Sequence, residues 1–317
     1  MSTLYFLTQQ TMFYSIPLLV VALGGMFSER SGVINIALDG IMIVGAFVGL
    51  FFMNRMQATM SGQGLLLLSL LVAGGTGVIL SLFHAYASIY HNANQVISGT
   101  ALNLFAPAFA IFTARMAIGV QQVTFINQYR IAQVPILSQI PILGRMFFTN
   151  TYITTYIGIL ILGISAFFLL KTRFGLRLRA CGEHPQAADS AGVKVRRMRL
   201  AGVMISGLLA GMGGLILMVP VTTAFNGTVS GFGFLALAVL IFGQWKPSRI
   251  LMAAFFFGLM QTIAAAYTGI PFLANLGIPS NVFKSIPYLT TIIVLAFTSG
   301  RSAAPKAAGE PYDPGKR

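Results

Sequence analysis

Nine stretches of this chain, at about 11–28, 33–53, 64–83, 96–118, 151–170, 200–220, 231–245, 250–270 and 286–299, run almost without charge. Most approach the roughly 20 apolar residues that carry a helix across a hydrocarbon core about 30 Å thick. Overall 56% of residues are hydrophobic and 8% charged, with a mean hydropathy of +0.82. A soluble domain carries about 25% charged residues, so this chain lacks the polar surface to face water. The runs are too long and too continuous for the alternating strands of a membrane barrel, and helices satisfy every backbone group in lipid. The sequence therefore predicts an all-α integral membrane protein, a polytopic bundle of about nine transmembrane helices (eight to ten). Met1–Gln10 has no basic leader region and no small-residue cleavage site follows, so the first run reads as a retained anchor.

Charge orients the bundle. The formal net charge of +14 sits at the ends of apolar runs, which is the pattern of membrane topology and not that of a nucleic-acid surface. Between 171 and 199, eight Lys and Arg face only Glu183 and Asp189, which places this loop in the cytoplasm. Alternation then puts Lys246, Arg249 and the tail with Arg301, Lys306, Lys316 and Arg317 inside, and the N-terminus and residues 119–150 outside. Arg115, Arg130 and Arg145 run against that tendency. The external segment, with Pro135, Pro141 and the pieces VPIL and IPIL, is too apolar to stay solvated and reads as a cap on the bundle. Residues 1–300 read as one transmembrane domain, and 301–317 as an unstructured cytoplasmic tail. The single cysteine, Cys181, lies on the reducing side and forms no internal disulfide.

An ionisable side chain within a membrane marks function by default, and Asp39 is the one that qualifies. In SERSGVINIALDG, Asn35 and Asp39 stand four apart on one helical face. Two readings stay open for them, and for Asn103, Thr222, Thr223 and Asn226: a hydrogen-bonded helix start that holds the bundle together, or a polar stripe along a translocation path. Gly45 with Gly49 and Gly207 with Gly211 sit at the spacing of close helix crossings, and GMGG (211–214) and GFGF (231–234) can also mark bent or broken helices. A weak echo relates 37–49 to 229–243. No phosphate loop, zinc motif or nucleophile elbow is present. His84 and His91, in HAYASIYHNANQ, read as ordinary interfacial residues of a short loop.

Residues 182–192 carry start and stop signals for one short helix: Pro185 suits its first position and Gly192 the left-handed residue past its end. Two turns are unstable alone in water, so docking must hold them, and Ala187, Ala188 and Ala191 leave a small face that fits a groove.

The string GEHPQAADSAGVKV, followed by ISGLLAGMGG, resembles the coupling-loop signature of ABC importer permeases in the branch serving simple sugars, nucleosides and branched-chain amino acids. ERSGVINIALDGIMIVGA is similar to that branch's N-terminal signature, especially in nucleoside-type permeases, and GFGFLALAVLIFGQWKP to a late segment, although relatives often carry a smaller residue than Trp245. The resemblance spans about 11–300. It implies a bacterial inner-membrane translocation subunit taking up a nucleoside or simple sugar, with no catalytic residue, metal or cofactor of its own. Implied partners are a separate ABC ATPase, touched through Gly182, Glu183, His184, Pro185, Ala187, Ala188 and Gly192, a second permease subunit, identical or different, and an extracytoplasmic solute-binding protein. Asn35, Asp39, Asn103, Thr222 and Asn226 are the candidate path residues. The competing reading is a self-sufficient secondary transporter or channel that uses Asp39.

Overall fold

A computed structural model describes residues 2–141, 143–269, 279–298, 303–313 and 315. The helices are α1 (Ser2–Arg30), α2 (Leu38–Met56), α3 (Gln63–Ala85, prolonged by a π turn over Tyr86–Tyr90), α4 (Gln95–Ile118), α5 (Leu143–Phe147), α6 (Ile153–Lys171), α7 (Arg173–Glu183), α8 (Pro185–Ser190), α9 (Val195–Val221), α10 (Phe232–Phe242), α11 (Pro247–Ala266) and α12 (Ser280–Thr298). Four short strands, β1 (Val123–Thr124), β2 (Arg130–Gln133), β3 (Thr149–Tyr152) and β4 (Ala224–Phe225), form two antiparallel pairs, β1 with β4 and β2 with β3.

Among the described residues seven helices are long and apolar enough to cross a membrane: α1, α2, α3 with its π turn, α4, α6, α9, and α11 with the turn after it. Two of the nine apolar runs behave differently. The run at 231–245 holds only the short α10, because Ser230 and Gly231 precede it with φ of 54° and 74° and Gln244 and Trp245 follow it at 52° each. The run at 286–299 falls within α12, its last residue lying outside the described residues, as does residue 270 of the run at 250–270.

α1 and α9 form the centre. α1 is buried through Leu18–Leu23, and α9 packs against α1, α2 and α3. Small residues make these crossings possible. A Cβ on Gly45 of α2 would lie 2.5 Å from Cα of Gly211, and one on Gly207 would lie 2.5 Å from the carbonyl oxygen of Gly77 on α3. At that separation backbones touch, which supplies dispersion where lipid offers no hydrophobic drive. α4, α6 and α11 are peripheral and expose Leu104, Phe112, Leu160, Phe167 and Met252, side chains at home in a bilayer.

The bundle has two polar ends. At one, Asn127 Nδ2 donates to Val219 O at 2.7 Å, Phe125 N to Thr223 O at 3.1 Å and Gln9 Nε2 to Arg145 O at 3.1 Å. There residues 119–150 fold back as the cap the sequence predicts, burying Val123, Phe125 and Tyr129. At the other end, Arg30 meets Glu183 at 3.6 Å and the Trp245 carbonyl at 3.2 Å.

The tail departs from its reading. Ala303 N donates to Gln244 Oε1 (3.1 Å), Ala307 N to Gly182 O (2.9 Å) and Gly309 N to Gly32 O (3.1 Å), while Arg199 Nη1 donates to Glu310 O (2.8 Å) and Tyr312 is buried. Composition predicts an unstructured tail here because it does not register partners that are mostly backbone groups far away in sequence. Arg301, Lys316 and Arg317 lie outside the described residues.

Candidate translocation path and coupling surface

Between α1 and α2 the helix stops. Gly32 takes φ 96° and the chain runs irregularly to Leu38. Irregular backbone at membrane depth persists only where protein satisfies its polar groups, and here side chains from α3 and α4 do so. Gln95 Oε1 accepts from Ile34 N (2.7 Å), and Asn103 Nδ2 donates to Ile36 O (2.9 Å) while its Oδ1 accepts from Gly40 N (2.7 Å). Asn35 Oδ1 accepts from Ala37 N (3.1 Å) and its Nδ2 donates to Ser206 Oγ (2.9 Å). His84 Nε2 lies 3.0 Å from Ile34 O and Nδ1 2.9 Å from Ser98 Oγ. Because a carbonyl only accepts, Nε2 carries a proton toward Ile34 O.

His84 is therefore no loop residue. It is 1% exposed, since α3 continues past the apolar run and sets the imidazole beneath the hinge. Asn35 and Asn103 occupy their hydrogen-bonding groups in holding residues 34–40.

Asp39 does related work at a second break. After α9, residues 222–231 run without helix until α10 begins, and Gly233 N donates to Asp39 Oδ1 at 2.8 Å. A side chain at Gly233 would strike the Asp39 backbone. Eleven residues of α10 rise about 16 Å, half the hydrocarbon depth. Since its far end lies beside Arg30, the Asp39 contact sits near mid-membrane.

The descending segment alternates. Asn226, Thr228 and Ser230 are exposed, whereas Gly227 and Val229 between them are buried. Gly227 takes φ 80°, and a Cβ there would fall 2.8 Å from Ile111 Cγ1, so its backbone lies directly on α4. Thr222 instead closes a local turn, its Oγ1 donating to Ala224 O at 2.8 Å. Of the candidate path residues Asn226 is thus exposed, and Thr228 and Ser230 share its face. Their signal was the period of two in NGTVS, 226–230.

At the basic end, α8 starts at Pro185 and stops before Gly192, at φ 80°, as read from the sequence. Its residues divide by direction. Gly182, Pro185 and Ala188 are buried. A Cβ on Gly182 would lie 2.5 Å from Arg30 O, and Ala188 packs with Cys181, Val195 and Tyr312. Glu183 pairs with Arg30, while His184, Ala187, Ala191 and Gly192 are exposed. Burial pushes the Cys181 thiol up to about 11, against the opposing pull of the Arg199 guanidinium, which leaves it protonated and unreactive.

Trp245 acquires a role: its Nε1 donates to Glu29 Oε2 at 2.6 Å, both residues being buried. Trp245→Phe strands a buried carboxyl group, a loss of about 1–3 kcal/mol. The purified variant is expected to melt several degrees below wild type, and an unchanged melting temperature would show that the bond contributes nothing.

Known proteins resemble the chain over nearly its full length. It is 43% identical over 309 residues to the guanosine ABC transporter permease protein NupQ of Bacillus subtilis, covering 97% of this chain and 96% of that protein. To the nucleoside ABC transporter permease protein NupC of Lactococcus lactis it is 40% identical over 312 residues, 98% of each chain. The nucleoside ABC transporter permease protein NupB of the same strain is 26% identical over 284 residues, 85% of this chain and 74% of that one. No solved structure matches. The family model of the permease component of branched-chain amino acid transport systems matches residues 7–295, and the chain belongs to that family.

Proposed function

We propose that this chain is one of two unlike permease subunits of an ATP-driven nucleoside importer. The observation that carries this reading is the 43% identity, end to end, with a guanosine permease. The pairing with an unlike subunit is supported by NupC and NupB, two permeases of one organism of which the chain resembles the first more closely. In this reading the N-terminus is outside, the non-helical segment 222–231 together with α10 makes one further membrane passage and α12 another, nine in all, and an extracytoplasmic binding protein delivers solute onto the cap. The solute then passes Asn226, Thr228 and Ser230, whose neutral amide and hydroxyls exchange hydrogen bonds with a nucleoside without holding it as a fixed charge would. ATP binding in a separate ATPase acts on the exposed side of α8.

Reconstitution in proteoliposomes tests the reading. With the second permease, the ATPase and the binding protein present, guanosine is expected to accumulate only when ATP is supplied. Accumulation by this chain alone, driven by a proton or sodium gradient, would overturn it.

A further inference from the structure

A groove of about 450 Å3 runs along α3 and its π turn, lined by Ile79, Leu82, Phe83, Tyr86 and Tyr90, with Leu200 of α9 opposite. Spacings of three and four place these α3 residues on one side, and Ile79 and Phe83 are 62% and 65% exposed. At its lower end Tyr90 is shared with a second pocket of about 350 Å3, lined by Lys194, Arg196 and Arg197 and by Asp189 and Tyr312. The Arg196 guanidinium stands 6.0 Å from the centre of the Tyr90 ring. Three cations face one carboxylate there, so the pocket keeps an excess of positive charge. π turns of this kind are frequent at functional sites.

We propose that this composite site binds an anionic phospholipid, one acyl chain in the groove and the phosphate among Lys194, Arg196 and Arg197. Charge complementarity selects the occupant. Tyrosines mark the level of the membrane interface, and basic pockets just beneath it between transmembrane helices take anionic headgroups. A soluble subunit seated on α8 reaches the cations but not the groove, which climbs the exposed apolar flank of α3. The headgroup would lie against Asp189 of α8 and Tyr312 of the tail, so membrane composition would bear on the element that receives work from the ATPase. The site stands apart from the solute path and does not depend on which solute is carried.

Native mass spectrometry of the full-length chain in detergent, with phosphatidylglycerol or phosphatidylcholine added, tests the assignment. Wild type is expected to retain phosphatidylglycerol in preference. Arg196→Gln with Arg197→Gln, both on exposed positions, is expected to weaken that retention roughly fivefold per cation removed without changing the melting temperature. Leu200→Trp, which fills the groove, is expected to reduce retention while leaving the cations in place. Equal retention of both lipids, full retention by the double variant, or full competition by soluble glycerophosphoglycerol would each overturn the proposal. So would efficient photo-cross-linking from a photoreactive label on Phe83→Cys to the second permease, since the groove would then be a subunit interface.

Discussion

In the assembled transporter, Ala187→Trp is expected to lower ATP-driven uptake at least tenfold while the chain still inserts and melts at the wild-type temperature. Ala187 is exposed on α8 and Ala188, one residue on, is buried against Cys181, Val195 and Tyr312. An indole at 187 therefore disturbs nothing within this chain but occupies the space into which, in the proposed function, an ATPase surface fits. A misfit of about 1.4 kcal/mol already gives a tenfold loss. Ala188→Trp is expected to differ, lowering both uptake and melting temperature, because overfilling a closed cluster costs about 1–3 kcal/mol. Uptake and thermal melting measured on both variants separate the two roles. Wild-type uptake by Ala187→Trp would remove α8 as the coupling surface, and wild-type melting of Ala188→Trp would remove the inward anchor.

That division within α8 marks where sequence reasoning stops. The ends of the helix were legible because Pro185 and Gly192 act through their own backbone geometry. The side it buries was not, since one of its partners, Tyr312, arrives from the far end of the chain. Among the described residues the apolar runs located every long helix, being dictated by hydrocarbon thickness. The run at 231–245 is longer than its helix because hydropathy does not register the positive φ angles that confine α10 to eleven residues. Likewise His84 looked like a loop histidine because nothing in its own segment reveals the Ile34 carbonyl that it serves. The pairing of Trp245 with Glu29 bridges more than two hundred residues and leaves no local pattern. In contrast the alternation at Asn226, Thr228 and Ser230 was present in the sequence, masked by glycine and by its brevity.

Asp39→Asn is expected to keep uptake within roughly threefold of wild type, independent of any ion gradient, whereas Asp39→Leu is expected to lose most of it. The carboxylate accepts from Gly233 N at 2.8 Å at the first turn of α10, where free N–H groups and the helix dipole favour an oxygen acceptor. Asparagine keeps that oxygen and forfeits only the charge. Leucine removes the acceptor and leaves a donor unpaired near mid-membrane, a loss of about 1–3 kcal/mol, in a place where the backbones of α2 and α10 are in contact and cannot separate to admit water. A carrier that used Asp39 to bind a proton or a sodium ion would not separate the two variants, because there the charge itself is the working part. Asparagine would then be as damaging as leucine, and the surviving wild-type activity would follow the ion gradient instead of ATP. Measuring uptake for both variants with ATP alone and with a gradient alone therefore decides whether this carboxylate fastens a broken helix or drives transport.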